Sequence, residues 1–136
     1  MDMKTAAPNR IAFVTGADRG LGHALTASLL ARGWRVFAGQ YMPEWPQLSE
    51  LAATYATRLS IVPLDVTSDA SVRAAAQAVA SQVDRVDLLI NCAGVLSSAD
   101  PRGIREGQDY DEIHRMYRVN ALGPLRVVEA FLPLLE

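Results

Sequence analysis

A chain of 136 residues and 14.7 kDa, half apolar and 21% charged, has room for one domain with a substantial core and falls outside the disordered and fibrous classes. Thirteen basic residues against fifteen acidic ones leave a net charge of -2, which argues against a general nucleic-acid or polyanion binder. A single cysteine, Cys92, excludes an intrachain disulfide framework; no apolar run reaches membrane-span length and Met1 to Arg10 has no apolar signal core, so the expected location is the cytoplasm.

Short apolar runs alternate with helical periodicity along the chain, the pattern of βαβ units and a parallel sheet. Arg10 to Thr15 (RIAFVT) reads as a buried strand, followed by a glycine-rich turn from Gly16 to Gly22. Leu21, Ala24, Leu25, Ser28 and Leu29 then share one helical face, and Gly33 closes that helix. Trp34 to Gln40 is the second strand. Pro43 and Pro46 mark a turn and a helix start, with the helix expected over Gln47 to Thr57. Leu59 to Leu64 is the third strand, although Pro63 cannot donate to a ladder. Thr67 or Ser68 can cap the next helix, Asp69 suits its positive end, and Val72, Ala75, Ala76, Val79 and Val83 repeat at helical spacing.

Val86 to Asn91 is the fourth strand, and a loop with Ser97, Ser98, Pro101 and Gly103 follows it. Tyr110 to Glu136 is mostly helical, with Met116, Val119, Gly123, Val127, Ala130 and Leu134 on one face and Val128, Leu132 and Leu135 on a second. A helix apolar most of the way round is buried in its own fold or by a partner chain. Pro124 inside this stretch should kink or divide it. The last helical pattern runs to Glu136 without a cap, and the apolar fourth strand asks for a neighbour on each side. The expectation is a single domain over residues 1–136 that forms the first part of a larger fold.

The strongest chemical signal is Thr15-Gly16-Ala17-Asp18-Arg19-Gly20-Leu21-Gly22, directly after a strand and opening a helix. Its spacing, G-x-x-x-G-x-G, differs from the usual G-x-G-x-x-G dinucleotide fingerprint but serves the same physics. Glycines allow a tight turn and close approach of backbone to a pyrophosphate, and the helix N-terminus offers free N–H donors and positive partial charge. Alone, three glycines in a turn are equally compatible with an ordinary strand-to-helix connection.

Here the sequence resembles the short-chain dehydrogenases/reductases, whose cofactor loop is TGxxxGxG. Three further marks occur in the family's order. Leu64-Asp65-Val66-Thr67 is similar to its D-V segment after the third strand, and Asn91-Cys92-Ala93-Gly94 to its N-N-A-G after the fourth, with cysteine in place of the second asparagine. Asn120, in Val119-Asn120-Ala121, matches the helical asparagine of its catalytic tetrad. The resemblance runs from about Asn9 to Glu136 and covers the N-terminal half of a usual member. It implies an α/β Rossmann fold of three layers with strand order 3-2-1-4 and a dinucleotide over the carboxyl ends of strands one and four. It further implies cofactor contacts at Thr15, Gly16, Asp18, Arg19, Gly20, Leu21, Gly22, Gln40, Asp65, Val66, Asn91, Cys92, Ala93 and Gly94, with Asn120 the one tetrad member present. A homo-oligomer is the implied assembly.

Each mark also has an ordinary reading. Asp65 can satisfy turn amides before a helix, Asn91 can end a strand, and Cys92 can be a small buried hydrophobe. Asn120 next to Val119 should be buried and hydrogen-bonded. His23 reads as half-buried or on the surface and His114 as solvated. Two histidines and one cysteine, widely separated, do not make a metal site.

Cofactor choice rests on two positions. A carboxylate ending the second strand would hydrogen-bond the ribose hydroxyls of NAD and repel a 2′-phosphate, but Gln40 stands there. Arg19 can pair with a 2′-phosphate through its guanidinium fork, and family members with a basic residue there usually prefer NADP. The expectation is NADP over NAD.

The family's general acid/base tyrosine is followed four residues later by a lysine that lowers its pKa, and a serine orients the substrate carbonyl. Of 13 basic residues only Lys4 is a lysine, and the residues four beyond Tyr41, Tyr55, Tyr110 and Tyr117 are Trp45, Leu59, His114 and Ala121. No Tyr-x-x-x-Lys occurs in this sequence. A tyrosine without a cationic neighbour keeps a pKa near about 10 and is a poor base at neutral pH. Two function classes therefore stay open. One is an oxidoreductase moving hydride between nicotinamide and a small carbonyl or alcohol substrate, represented here by its N-terminal half and inactive as this chain alone. The other is a non-catalytic dinucleotide-binding or interaction module.

Overall fold

A computed structural model describes residues 9–97 and 103–136; Lys4, Ser98 and Pro101 lie outside them. Four strands form one parallel sheet: β1 (Ile11–Val14), β2 (Arg35–Gln40), β3 (Leu59–Pro63) and β4 (Leu88–Ile90), in the order β3-β2-β1-β4. The expected strand order and fold class are those observed. Helices α1 (Gly20–Ala31), α2 (Gln47–Thr54) and α3 (Asp69–Ala80) connect the strands. A short 3-10 turn (Ile104–Glu106), α4 (Tyr110–Tyr117), a π-helical segment (Arg118–Leu122) and α5 (Gly123–Leu135) follow β4.

The central strand β1 shows why three layers form. Successive side chains on a strand point to opposite faces. Ile11 and Phe13 join Phe37, Val72, Val79, Val127 and Phe131 in a core on one face, while Ala12 and Val14 join Val36, Ala38, Leu30 and Leu48 on the other. Both faces are covered, as parallel sheets require. β3 is an edge strand and its proline is the last residue, so the missing N–H costs no central ladder bond.

Three expectations need correction. The face of α1 that meets the sheet is Gly22, Thr26 and Leu30; Leu21, Ala24 and Ser28 are exposed. Leucine-rich spacing misassigned the face because the contact with the glycine loop selects small residues. Helix α2 stops at Thr54 rather than Thr57. Pro124, expected to kink or divide the last helix, goes with a change of helix type rather than a break: α4 ends at Tyr117, and a π-helical turn separates it from α5, which begins at Gly123. Proline lacks the N–H that the carbonyl four residues back would receive, and the π-helical Arg118–Leu122 turn lies over that gap, so the chain stays helical through Leu135. The expected core face of this segment holds, with Phe131 added to it: Gly123, Val127, Phe131 and Leu134 are buried, while Leu125, Val128 and Leu132 are exposed.

β1 and β4 are tied at their entrance by Asp87. Its N–H donates to the Ile11 carbonyl (2.8 Å), and its Oδ2 accepts from the Ile11 N–H (2.8 Å). That backbone hydrogen bond, helped by Arg85 at 3.0 Å, holds the carboxyl below its ordinary value. The folded carboxyl therefore releases its proton at lower pH than the unfolded one, and its contribution to stability is present above the ordinary carboxylate pKa of about 4 and lost as pH falls through the folded value. Asp87→Ala is expected to lower the melting temperature at pH 7, with the gap to wild type shrinking below about pH 4. A gap independent of pH would assign the loss to packing instead.

Candidate active site

The site is built where β1 and β4, adjacent in the sheet, send their chains to opposite faces, the place where open α/β sheets bind ligands. The glycine loop after β1 is fixed from beneath. Thr15 is fully buried and its hydroxyl accepts hydrogen bonds from the N–H groups of Cys92 and Ala93, both at 3.0 Å. Gly16 has φ +59, and a Cβ there would stand 2.7 Å from the backbone of Ala93. Only glycine fits between the two loops. Ala17 donates to the Gly39 carbonyl at 3.1 Å, which ties the loop to β2 as well.

Asp18 reaches the other way. Its Oδ2 accepts from the N–H groups of Tyr41 (2.8 Å) and Met42 (2.6 Å), while its Oδ1 is buried with no hydrogen-bond partner. Arg19 is the N-cap of α1 in extended conformation, and its side chain does not cap the helix. Its guanidinium lies over the Trp45 ring, 4.7 Å from the centroid. The first turn of α1 carries no acidic residue, whereas α3 is capped by Ser68 and α4 by Asp109, each with acidic residues in the first turn. The first three N–H groups of an α-helix have no intrahelical partner. At α1 they remain available to an outside anion.

Above this loop lies a cleft of about 650 Å³. Gly16, Asp18, Arg19, Gly20, Leu21 and Gly22 form its floor; Asp65, Val66, Thr67, Cys92, Ala93, Gly94 and Val95 form its sides. Asp65 takes its turn-forming role in full: its Oδ1 accepts from the N–H (2.9 Å) and the hydroxyl (2.7 Å) of Thr67. Burial pushes the Cys92 thiol up from its ordinary value, the direction opposite to that of an activated thiolate. Asn91, Ala93, Gly94, Val95, Asn120 and Pro124 line a smaller adjoining cavity of about 290 Å³.

Four residues expected at the site do not line the main cleft. Thr15 lies beneath it and acts through the loop backbone. Gln40 ends β2 outside the lining: its backbone carbonyl accepts from Leu64 N–H (2.8 Å), and the wall after β2 comes from Tyr41, Met42 and Trp45. Asn91 and Asn120 belong to the smaller cavity. Asn120 is exposed rather than buried, yet it is paired: its Oδ1 accepts from Val95 N–H and its Nδ2 donates to the Val95 carbonyl, both at 2.8 Å. It faces the loop after β4, not the core, and sits in the π-helical turn. Arg115, Arg118 and Val119 also line the main cleft. Sequence reasoning missed them, although their position just before Asn120 on the same helical segment was a usable signal.

Among the described residues no cluster of three His, Cys, Asp or Glu side chains could hold a metal, and no helix is long and apolar enough to cross a membrane.

A parallel sheet with this order, a glycine loop under an uncapped helix N-terminus and a cleft at the strand ends define a Rossmann-type nucleotide-binding domain. Residues 10–136 match the short chain dehydrogenase family, and the chain belongs to it. It is 36% identical over 132 residues to an uncharacterised oxidoreductase of Schizosaccharomyces pombe, with 96% of this chain and 51% of that protein covered. It is also 36% identical to human retinol dehydrogenase 5, covering 96% of this chain and 40% of the relative. Its fold matches NADPH-bound carbonyl reductase from chicken fatty liver with a TM-score of 0.81 at 35% identity, over 93% of this chain and 48% of the reductase. The chain thus spans about half the length, or less, of these relatives.

Proposed function

We propose that this chain supplies the dinucleotide-binding half of an oxidoreductase that prefers NADP and moves hydride between nicotinamide and a carbonyl or alcohol carbon. The observation that carries this reading is the cleft over the glycine loop and the uncapped start of α1. The residues fit a dinucleotide. The backbone from Gly16 to Gly22 would take the pyrophosphate. Asp65 and Val66 would border the adenine, and Cys92 to Gly94 would line the path to the nicotinamide. When bound, the dinucleotide supplies or accepts the hydride. Asn120, clamped to both backbone groups of Val95, would hold the loop after β4 at its set distance from the glycine loop.

Preference for NADP rests on Arg19 in the cleft, together with the neutral wall after β2: neither Gln40 nor Tyr41 nor Met42 carries a charge to repel a 2′-phosphate. Calorimetric titration of the chain with NADPH and NADH tests both parts. Arg19→Ala is expected to weaken NADPH binding by about tenfold and NADH binding by less than about twofold, the scale of one charge-assisted contact. Equal losses would remove Arg19 from cofactor choice, and no binding of either dinucleotide would remove the reading itself.

The second reading left open by the sequence is a dinucleotide-binding module without catalysis, for which the glycine loop and the cleft suffice. Binding without turnover of carbonyl substrates would separate it from a working reductase. The exposed apolar strip of Leu125, Val128 and Leu132 on α5 supports self-association through that helix.

A further inference from the structure

We infer that Trp45 is a positioning residue for cofactor choice: its indole holds the Arg19 guanidinium in place for an adenosine 2′-phosphate. The inference rests on the dinucleotide reading above and deepens it.

Arg19 is exposed, and a free arginine side chain there would spread over many rotamers. It is not free. The guanidinium carbon lies 4.7 Å from the centroid of Trp45, which is half-buried, and both residues line the cleft. A cation held over an aromatic face is attracted by the ring quadrupole and need not use its N–H donors in hydrogen bonds to other side chains. Among the described residues Arg19 forms no ion pair and donates no hydrogen bond, so those donors are uncommitted. A planar fork held over the indole in the lining of the cleft, with its donors uncommitted, suits a phosphate oxygen pair.

The backbone that carries the indole is itself held. The connection from Tyr41 to Pro46 would be a loose loop without its anchors. Its first two N–H groups are taken by the buried carboxylate of Asp18. Trp45 N–H donates to the Met42 carbonyl at 3.1 Å. Pro43 and Pro46 fix two backbone angles, and the Pro46 carbonyl accepts from Glu50 N–H at 2.9 Å to start α2. The ring of support is closed: Asp18 secures the loop, the loop presents Trp45, and Trp45 carries Arg19, the residue next to Asp18.

The test is calorimetric binding of NADPH and NADH to the full chain carrying Trp45→Leu, Trp45→Phe, Arg19→Ala, or Arg19→Ala with Trp45→Leu. Trp45→Leu is expected to weaken NADPH roughly three- to tenfold, the scale of a cation–π contact, and NADH less than about twofold. Trp45→Phe, which keeps an aromatic face, should recover part of the loss. The double variant should bind NADPH no more weakly than Arg19→Ala alone, because the indole acts only through the guanidinium. NADH affinity reports whether the loop still folds. If Arg19→Ala is selective for NADPH but Trp45→Leu weakens both dinucleotides equally or neither, the positioning role is overturned and the Arg19 assignment stands. Additive losses in the double variant would also overturn it. If Arg19→Ala itself fails to discriminate, the preference for NADP falls, and the positioning role falls with it.

Discussion

Gly22→Ala is expected to be the most damaging single-methyl change in this chain. A Cβ at position 22 would stand 2.1 Å from the Gly16 carbonyl oxygen and 2.8 Å from its carbon. Both are backbone atoms of the glycine loop, so no flexible side chain can yield. Helix propensity pulls the other way, since alanine is favoured over glycine within a helix by about 1 kcal/mol. Overpacking a tight contact costs about 1–3 kcal/mol when side chains can adjust, and a backbone collision lies at or beyond the top of that range. Sterics win, and the net loss should be about 2 kcal/mol or more. Relief requires the start of α1 to move away from the loop, which would misplace the N–H groups meant for a pyrophosphate. Gly22→Ala should therefore lose both melting temperature and NADPH affinity, the latter by more than about tenfold. Leu21→Ala is the control, because Leu21 is 70% exposed and its truncation should leave stability within about 0.5 kcal/mol. Unchanged NADPH affinity in a folded Gly22→Ala protein would mean that the loop does not form the binding floor.

The same glycine shows what was legible in the sequence and what was not. The glycine loop and the succession of strands and helices followed from glycine spacing and from apolar periods of two and of three to four, whereas the strand order was implied by the family resemblance. Spacing and period are local signals, and elements such as β1 and α3 bury the face their own pattern marks. The inward face of α1 was misread because a helix packed on a loop at backbone contact uses glycine and threonine where a periodicity argument looks for leucine. Thr26 adds to this: its hydroxyl donates to the Gly22 carbonyl at 2.8 Å, so a polar residue sits fully buried at no unpaired cost. The site was legible where backbone geometry demands a residue type, as at Gly16 and Asp65. It was not legible where the wall comes from residues with no motif. Tyr41, Met42 and Trp45 enter the cleft because Asp18 pulls two amides toward the glycine loop, a contact between residues 23 and 24 positions apart. Pairing at that range leaves no periodic trace. Asn120 failed for a related reason: the π-helical turn re-aims the side chains after Arg118, so its neighbour Val119 was a poor guide to its burial.

Phe131→Ala should produce the largest loss of stability, and its effect on the site should follow from that loss. Phe131 is fully buried and its ring lies 4.3 Å from that of Phe13 on the central strand, tilted by 44°. Truncating a buried phenylalanine costs about 3–5 kcal/mol, against a total of about 5–15 kcal/mol for a domain. Leu132→Ala, one residue along and 47% exposed, should cost within about 0.5 kcal/mol and separates the packed face of α5 from its open one. The consequence reaches the cleft through two contacts at the helix start. Arg126 of α5 donates to the Val66 carbonyl at 2.7 Å, and Asn120, in the π-helical turn that leads into α5, clamps Val95, so the turn and the helix together brace both loops that form the sides of the site. A loosened α5 should lower NADPH affinity in proportion to the fraction of chains unfolded at the assay temperature. Dinucleotide should then restore stability by mass action, adding about 2.7 kcal/mol at a hundredfold excess over its Kd. Thermal melts of Phe131→Ala with and without NADPH check both halves. A large melting loss that NADPH does not partly reverse would mean that the variant's folded state does not bind the dinucleotide. A loss below about 1 kcal/mol would mean that this helix is not docked on the sheet through Phe131 at all.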